Sequence, residues 1–160
     1  MKKAALSAAA LFVVCAGAAL ADDIPATDPF DHVSCRGADN EVRVKVVDVE
    51  DNIGLIVADL YRNDEEGFLK RSGRVAQVRF AARAPHTTFC MAAPESGDFA
   101  IALYHDQNAN KTLDKKAFGL PAEPWGISNA PRILFGPPKV DEALFQVPET
   151  GATVEIKLNN

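Results

Sequence analysis

Oxygen-bearing side chains recur at a fixed spacing in one short stretch of the chain. HDQNANKTLD, His105 to Asp114, carries Asp106, Asn108, Asn110 and Asp114 directly after the apolar run FAIALY. If the chain curls after Asp106, these side chains and the Thr112 carbonyl fall at positions 1, 3, 5, 7 and 9 of a loop. Hard oxygen ligands at that spacing suit calcium. The same residues can instead accept hydrogen bonds from nearby backbone N–H groups in consecutive turns. The two readings stand side by side at the level of sequence.

An EF-hand is excluded. Its loop needs glycine at the sixth position and a bidentate glutamate at the twelfth, where this chain has Lys111 and Ala117. Any cation site must therefore be a loop completed by water or by another residue, and Glu123 is the candidate for an additional ligand. A rival reading is a cell-envelope hydrolase using His105 with neighbouring acidic residues, Ser128 being the nucleophile. No G-x-S-x-G elbow supports it, and adjacent strand residues such as His105 and Asp106 point to opposite faces. Trp125, Ser128 and Asn129, in the segment WGISN, form the candidate binding surface. Trp125 can equally cover one end of a core.

Short strands must position these residues. EVRVKVVDV alternates, with Val42, Val44 and Val46 on one face and charged residues on the other. IGLIVADLY, RVAQVRFAA, TTFCMAA, FAIALYHD, LFQV and TVEIKL follow, separated by turn chemistry such as EDN, PESGD and ETGA. No segment predicts a helix longer than two turns, so a βαβ fold lacks its helices. The pattern predicts an all-β fold, a single antiparallel β-sandwich of about seven strands, transthyretin-like or immunoglobulin-like. The stretch after the Asx loop loses periodicity but carries Phe118, Trp125, Phe135 and five prolines between 121 and 138. So rigid and apolar a segment is expected to be ordered across the sandwich.

The ends and the composition bound the compartment. MKKAALSAAALFVVCAGAALA reads as a signal peptide over residues 1–21, with Lys2 and Lys3 ahead of an apolar stretch and a small-residue cleavage site. Residues 22–40 read as an extended lead-in and 41–160 as the sandwich domain. The formal net charge of −5 becomes −7 when Lys2 and Lys3 are removed with the signal. That acidity disfavours a nucleic-acid partner, and no basic stop-transfer cluster follows the apolar segment, so no stable membrane insertion is expected after cleavage. Cys35 and Cys90 then remain as an even pair, which in an exported chain predicts a disulfide. Neither lies in a C-x-x-C, which leaves redox catalysis and zinc unsupported.

The motifs ALYHDQNANKTLD, FGLPAEPWGISNAP and FGPPKVDEALF resemble the bacterial secreted family called domain of unknown function 2141, whose pattern runs as HDxNxNxxLD, GxPxExxGxSN and FGPP. The resemblance covers residues 41–158 and is specific over 101–145. It implies a small exported β-sandwich and assigns no activity. Ala109 and Lys111 depart from the family's glycines within the Asx loop, which argues against an easy left-handed backbone there. The expectation is thus a periplasmic or secreted, non-enzymatic sandwich. Calcium in the 106–114 loop is the one cofactor, and an envelope protein or a glycan is the partner class.

Overall fold

A computed structural model describes residues 35–129 and 136–159. The signal segment and most of the lead-in lie outside the described residues. Eight strands run in chain order: β1 (Glu41–Val47), β2 (Leu55–Arg62), β3 (Arg74–Ala81), β4 (His86–Ala92), β5 (Gly97–Asp106), β6 (Trp125–Ile127), β7 (Phe145–Val147) and β8 (Ala152–Lys157), with one short helix, α1 (Val140–Ala143), ahead of β7. They form a three-stranded sheet ordered β4-β1-β8 and a five-stranded sheet ordered β3-β2-β5-β6, in which β7 also pairs with β5. The fold is all-β and sandwich-like, as the alternation predicts. β5, ten residues long, is central to the larger sheet.

Two details differ from the sequence expectation. The pairing is antiparallel throughout except between β1 and β8, which run parallel with Val44 opposite Val154. Parallel neighbours need a long connection, and here the whole rest of the domain is that connection. The extra strand is β6, three residues inside the proline-rich stretch. Three residues are too few to show a period.

The core lies between the sheets. Val42, Val44 and Val46 of β1 face Ile56, Ala58 and Leu60 of β2 and Phe99, Ile101 and Leu103 of β5 within one buried cluster. Burying each larger side chain contributes about 1.5–3 kcal/mol. Phe80 stacks on Phe89, ring centroids 4.6 Å apart, and joins the edges of the two sheets. A smaller cluster covers the outer face of the five-stranded sheet, where Tyr61, Phe68, Ala100 and Ile127 pack against Val140 and Ala143 of α1. β2 is buried on both faces, and this second layer covers its Tyr61 end.

The predicted disulfide is present. Cys35 and Cys90 are bonded, their Cα atoms 5.1 Å apart. Phe89 and Met91 point into the core, so Cys90 between them points to the outer face of the small sheet. It is nevertheless fully buried, and its partner in register is exposed Arg43. The Cys35 segment thus lies over that face. Glu41 holds the segment's backbone by accepting from Arg36 N at 3.0 Å and Gly37 N at 2.8 Å. The bond from Arg36, against the opposing cost of desolvation and aided by the bond from Gly37, leaves the Glu41 carboxyl below its ordinary range.

Candidate functional site

β5 delivers Asp106 to the rim of the five-stranded sheet, on the outer face opposite Leu55. Its side chain is fully buried. Asp106 Oδ1 accepts from Asn110 N at 3.0 Å and Oδ2 from Lys111 N at 2.7 Å. Asn108 Oδ1 also accepts from Asn110 N, at 3.0 Å. Asn110 Oδ1 accepts from Thr112 N at 2.8 Å and from Thr112 Oγ1 at 2.7 Å. Asp114 is reached by both amides, Asn108 Nδ2 at 2.7 Å and Asn110 Nδ2 at 3.1 Å. The structure therefore brings Asp106, Asn108, Asn110, Thr112 and Asp114 into one loop. As it stands, that loop is a run of Asx turns closed by side-chain bonds.

Glu123 also comes to this loop. It is 7% exposed, and its two oxygens accept from Gln107 N and Asp114 N, each at 3.0 Å. It clamps both ends of the loop through backbone N–H groups. The proline-rich segment folds alongside, with Ala122 N donating to Asp114 O at 2.7 Å and His105 N to Pro124 O at 2.8 Å. The carboxylates of Asp106, Asp114 and Glu123 do not form a tight acidic trio. Among the described residues the one such grouping is Cys35, Glu41 and Cys90, and its sulfurs are bonded to each other.

Ala109 and Lys111 adopt left-handed backbone, φ 56° and 67°. This corrects the expectation drawn from their lack of glycine. The conformation costs a non-glycine residue about 1–2 kcal/mol. The bonds from Asn110 N and Lys111 N to buried Asp106 are charge-assisted and hold the chain there.

The remaining sequence candidates are placed differently. Ser128 is not surface: it is fully buried, donating from Oγ to Ala143 O at 2.6 Å and accepting from Ile101 N at 2.9 Å. It ties β5 to the end of α1. This corrects its assignment to a binding surface, because the α1 layer covers the face on which it lies. Asn129 is exposed, has φ 60°, and donates from Nδ2 to Leu144 O. Trp125 is half-buried beside the second core cluster. His105 is 1% exposed and faces the inter-sheet core in register with Ile56. Its Nε2–H donates to Ile53 O at 2.7 Å, so it staples the β1–β2 loop to β5. Ser128 bonds to Ile101, four residues before His105 along β5, or about 13 Å at strand rise. The pair does not form a catalytic couple.

A second polar cluster, absent from the sequence reading, lies on the outer face of the same sheet. Asp59, 4% exposed, accepts from Gln77 Nε2 at 2.7 Å and lies 2.9 Å from Arg74 Nε. Tyr61 OH reaches the same carboxylate at 3.5 Å, and Arg79 Nη2 donates to Gln77 Oε1. Burial pushes the Asp59 carboxyl up, against the opposing pull of Gln77 and the two arginines. The signal was legible: Asp59 sits inside the apolar run LIVADLY, and Gln77 and Arg79 recur with period two in RVAQVRFA.

Both tyrosines of the chain belong to this face. Burial, and then the charges of Asp106 and Asp59, raise Tyr104 to about 12, and burial also raises Tyr61. A phenol raised on folding contributes stability that is complete below the unfolded value near 10 and is lost as pH rises through the folded one. The native protein is therefore expected to hold the Tyr104 phenolate step back to about pH 12, whereas the urea-denatured chain shows both tyrosines stepping near pH 10. A native step at 10 with the amplitude of both tyrosines would contradict this burial.

The sequence model of a bacterial family described as "Uncharacterized protein conserved in bacteria (DUF2141)" matches residues 44–156. That span runs from β1 to β8 and contains both polar clusters. No curated protein and no solved structure matches the chain. Among the described residues no helix is long and apolar enough to cross a membrane.

Proposed function

The chain belongs to the DUF2141 family of bacterial proteins, and from that premise we propose that it is an exported, non-enzymatic β-sandwich whose 106–114 loop takes up calcium. The ion would stiffen the rim and, with it, the proline-rich segment that carries Trp125. Export is supported by the signal-like N-terminal sequence and by the Cys35–Cys90 bond. A periplasmic or secreted setting, and a glycan or envelope protein as partner, follow from that export. Ser128 and His105 are each engaged in structural bonds, so the serine-hydrolase reading that used them is not the one proposed.

One observation carries the calcium reading. Asp106 and Glu123 are buried carboxylates at one loop, with Asp114 beside them, and among the described residues none of the three has an ion pair. Buried negative charge held only by N–H donors is further stabilised by a cation. Asp106, Asn108, Asn110, the Thr112 carbonyl and Asp114 are the oxygens that would hold it. Two carboxylates among them make for moderate affinity.

Calcium at about one hundred times its dissociation constant is expected to stabilise the fold by about 2.7 kcal/mol. The melting temperature should rise by roughly 5–10 °C and EDTA should reverse the rise. Asp106→Ala should abolish the response. Asp114→Asn, less buried and milder to the fold, should weaken it. A wild-type melt unmoved by calcium would leave the loop as a run of self-closed turns and remove the ion from this reading.

A further inference from the structure

We infer that the hairpin at residues 115–121 docks the protein, peripherally and reversibly, on the surface of a bilayer carrying anionic phospholipid. Leu120 enters the interface, and Lys111, Lys115 and Lys116 meet the headgroup phosphates. The hairpin is a small excursion from the rim loop. Lys115 and Pro121 pair in an antiparallel bridge, Lys116 N donates to Leu120 O at 2.7 Å, and Gly119 N donates to Lys116 O at 3.2 Å. A single 3-10 turn, Ala117–Gly119, closes it. That turn stands clear of the body, since a Cβ on Gly119 would meet no atom within 4 Å. The base is fixed, because Ala122 N donates to Asp114 O and Glu123 clamps the rim loop beside it.

Among the described residues Leu120 is the most exposed large apolar side chain, at 63%, followed by Ile53 at 53% and Leu69 at 37%. Ile53 belongs to the same end of the sandwich: its carbonyl accepts from His105 Nε2, and the next residue, Gly54, stands against the Asp106 carbonyl. Asp51, two residues before Ile53, is exposed and opposes close approach of that loop to anionic lipid, so the hairpin makes the first contact. The charge of the hairpin runs against that of the chain. From Gln107 to Ala122 there are three lysines and one acid, Asp114, in a protein of net charge −5. All three lysines are exposed, and among the described residues none has an ion pair. Asp106 and Glu123 lie buried beneath them, turned to backbone N–H groups. Charges farther off are screened beyond about 8 Å at physiological salt, so the lysines dominate what the tip presents. A protruding leucine needs no preformed groove in a fluid interface, and neighbouring lysines lay their stems along it while their ammonium groups reach phosphate. A nucleic acid would require a wider basic face.

The chain from Asp22 onward is the form to test, because the apolar segment before it would bind lipid by itself. In EDTA at low salt it should co-sediment with vesicles of phosphatidylglycerol and phosphatidylcholine in equal parts, and not with phosphatidylcholine alone. High salt should release it. Leu120→Ser should weaken binding about tenfold. Lys115→Gln combined with Lys116→Gln should weaken it roughly 25-fold, about fivefold for each charge. These positions are exposed, so the melting temperatures should stay close to wild type. Leu69→Ser is the control: Leu69 lies past the other end of β2, which starts opposite Asp106 and ends opposite Phe99, and its loss should leave binding unchanged. Four results would each overturn the docking surface. They are no binding to the anionic vesicles, which would leave the tip to a protein partner; equal binding to the neutral vesicles; wild-type binding by Leu120→Ser or by the lysine pair; and a loss in Leu69→Ser as large as in Leu120→Ser. With EDTA present, the outcome does not depend on calcium in the rim loop.

Discussion

Gly54→Ala is expected to remove about 3–4 kcal/mol of stability, a large share of the 5–15 kcal/mol that domains possess. Gly54 has φ 64°, and a Cβ there would stand 2.0 Å from the Asp106 carbonyl oxygen and 2.8 Å from Gln107 Cα. Both are backbone atoms, and they cannot retreat easily. Asp106 ends β5 in register with Leu55, and its carbonyl accepts from Ala109 N at the first turn of the Asx loop. Gly54 itself accepts from Ala82 N. One methyl group therefore strains the β1–β2 loop, the end of β5 and the start of the rim loop together. Gly119→Ala is the control: φ is 79° and no atom lies within 4 Å of its Cβ. It should lose only the backbone term, about 1–2 kcal/mol. Urea unfolding midpoints of the two variants measure the difference, and equal losses would refute the close approach at Gly54.

Removal of the disulfide is expected to cost about 4 kcal/mol in the chain-entropy account of a loop of this length. The bond spans a sequence separation of 55 and ties the segment before β1 to β4. Cys35→Ser with Cys90→Ala avoids placing a hydroxyl at the buried Cys90 position. The unfolding midpoint should fall strongly, and mild reduction of the wild type should reproduce the fall. The loss should be felt first at the outer face of the small sheet, where amide exchange along β4 and β1 would accelerate. A double variant as stable as wild type would show that the Glu41 bonds to Arg36 and Gly37 already hold the segment.

Much of the sheet pattern is legible in the residues because alternation is local. Val42, Val44 and Val46 announce which face of β1 turns inward. β3 is less plain, since every residue but Phe80 is only half-buried, and its alternation is correspondingly weak. β6 is invisible because its three residues sit among prolines and glycines and form a strand only when β5 offers a partner. Ser128 illustrates the limit best. A serine in GISN reads as exposed turn chemistry, yet α1 and β5 close over it and make it a buried link between them. The Asx loop could be foreseen as a curl of oxygens, but the direction of those oxygens toward N–H groups is a property of the folded backbone.

Residue order alone determined the all-β class, the faces of the long strands, the pairing of Cys35 with Cys90, and the curl of Asp106 to Asp114. Each of these depends on spacing along the chain or on the chemistry of a side chain. Tertiary structure alone decided that β1 and β8 lie side by side in parallel, and that Glu123 clamps both ends of the rim loop. It also buried His105 and Ser128 and gathered Asp59, Arg74, Gln77 and Arg79 on one outer face. Apart from the Arg79–Gln77 bond, those contacts join residues from 9 to more than 100 positions apart. Which of many chemically acceptable partners meet is settled only when the sheets pack and water is excluded between them.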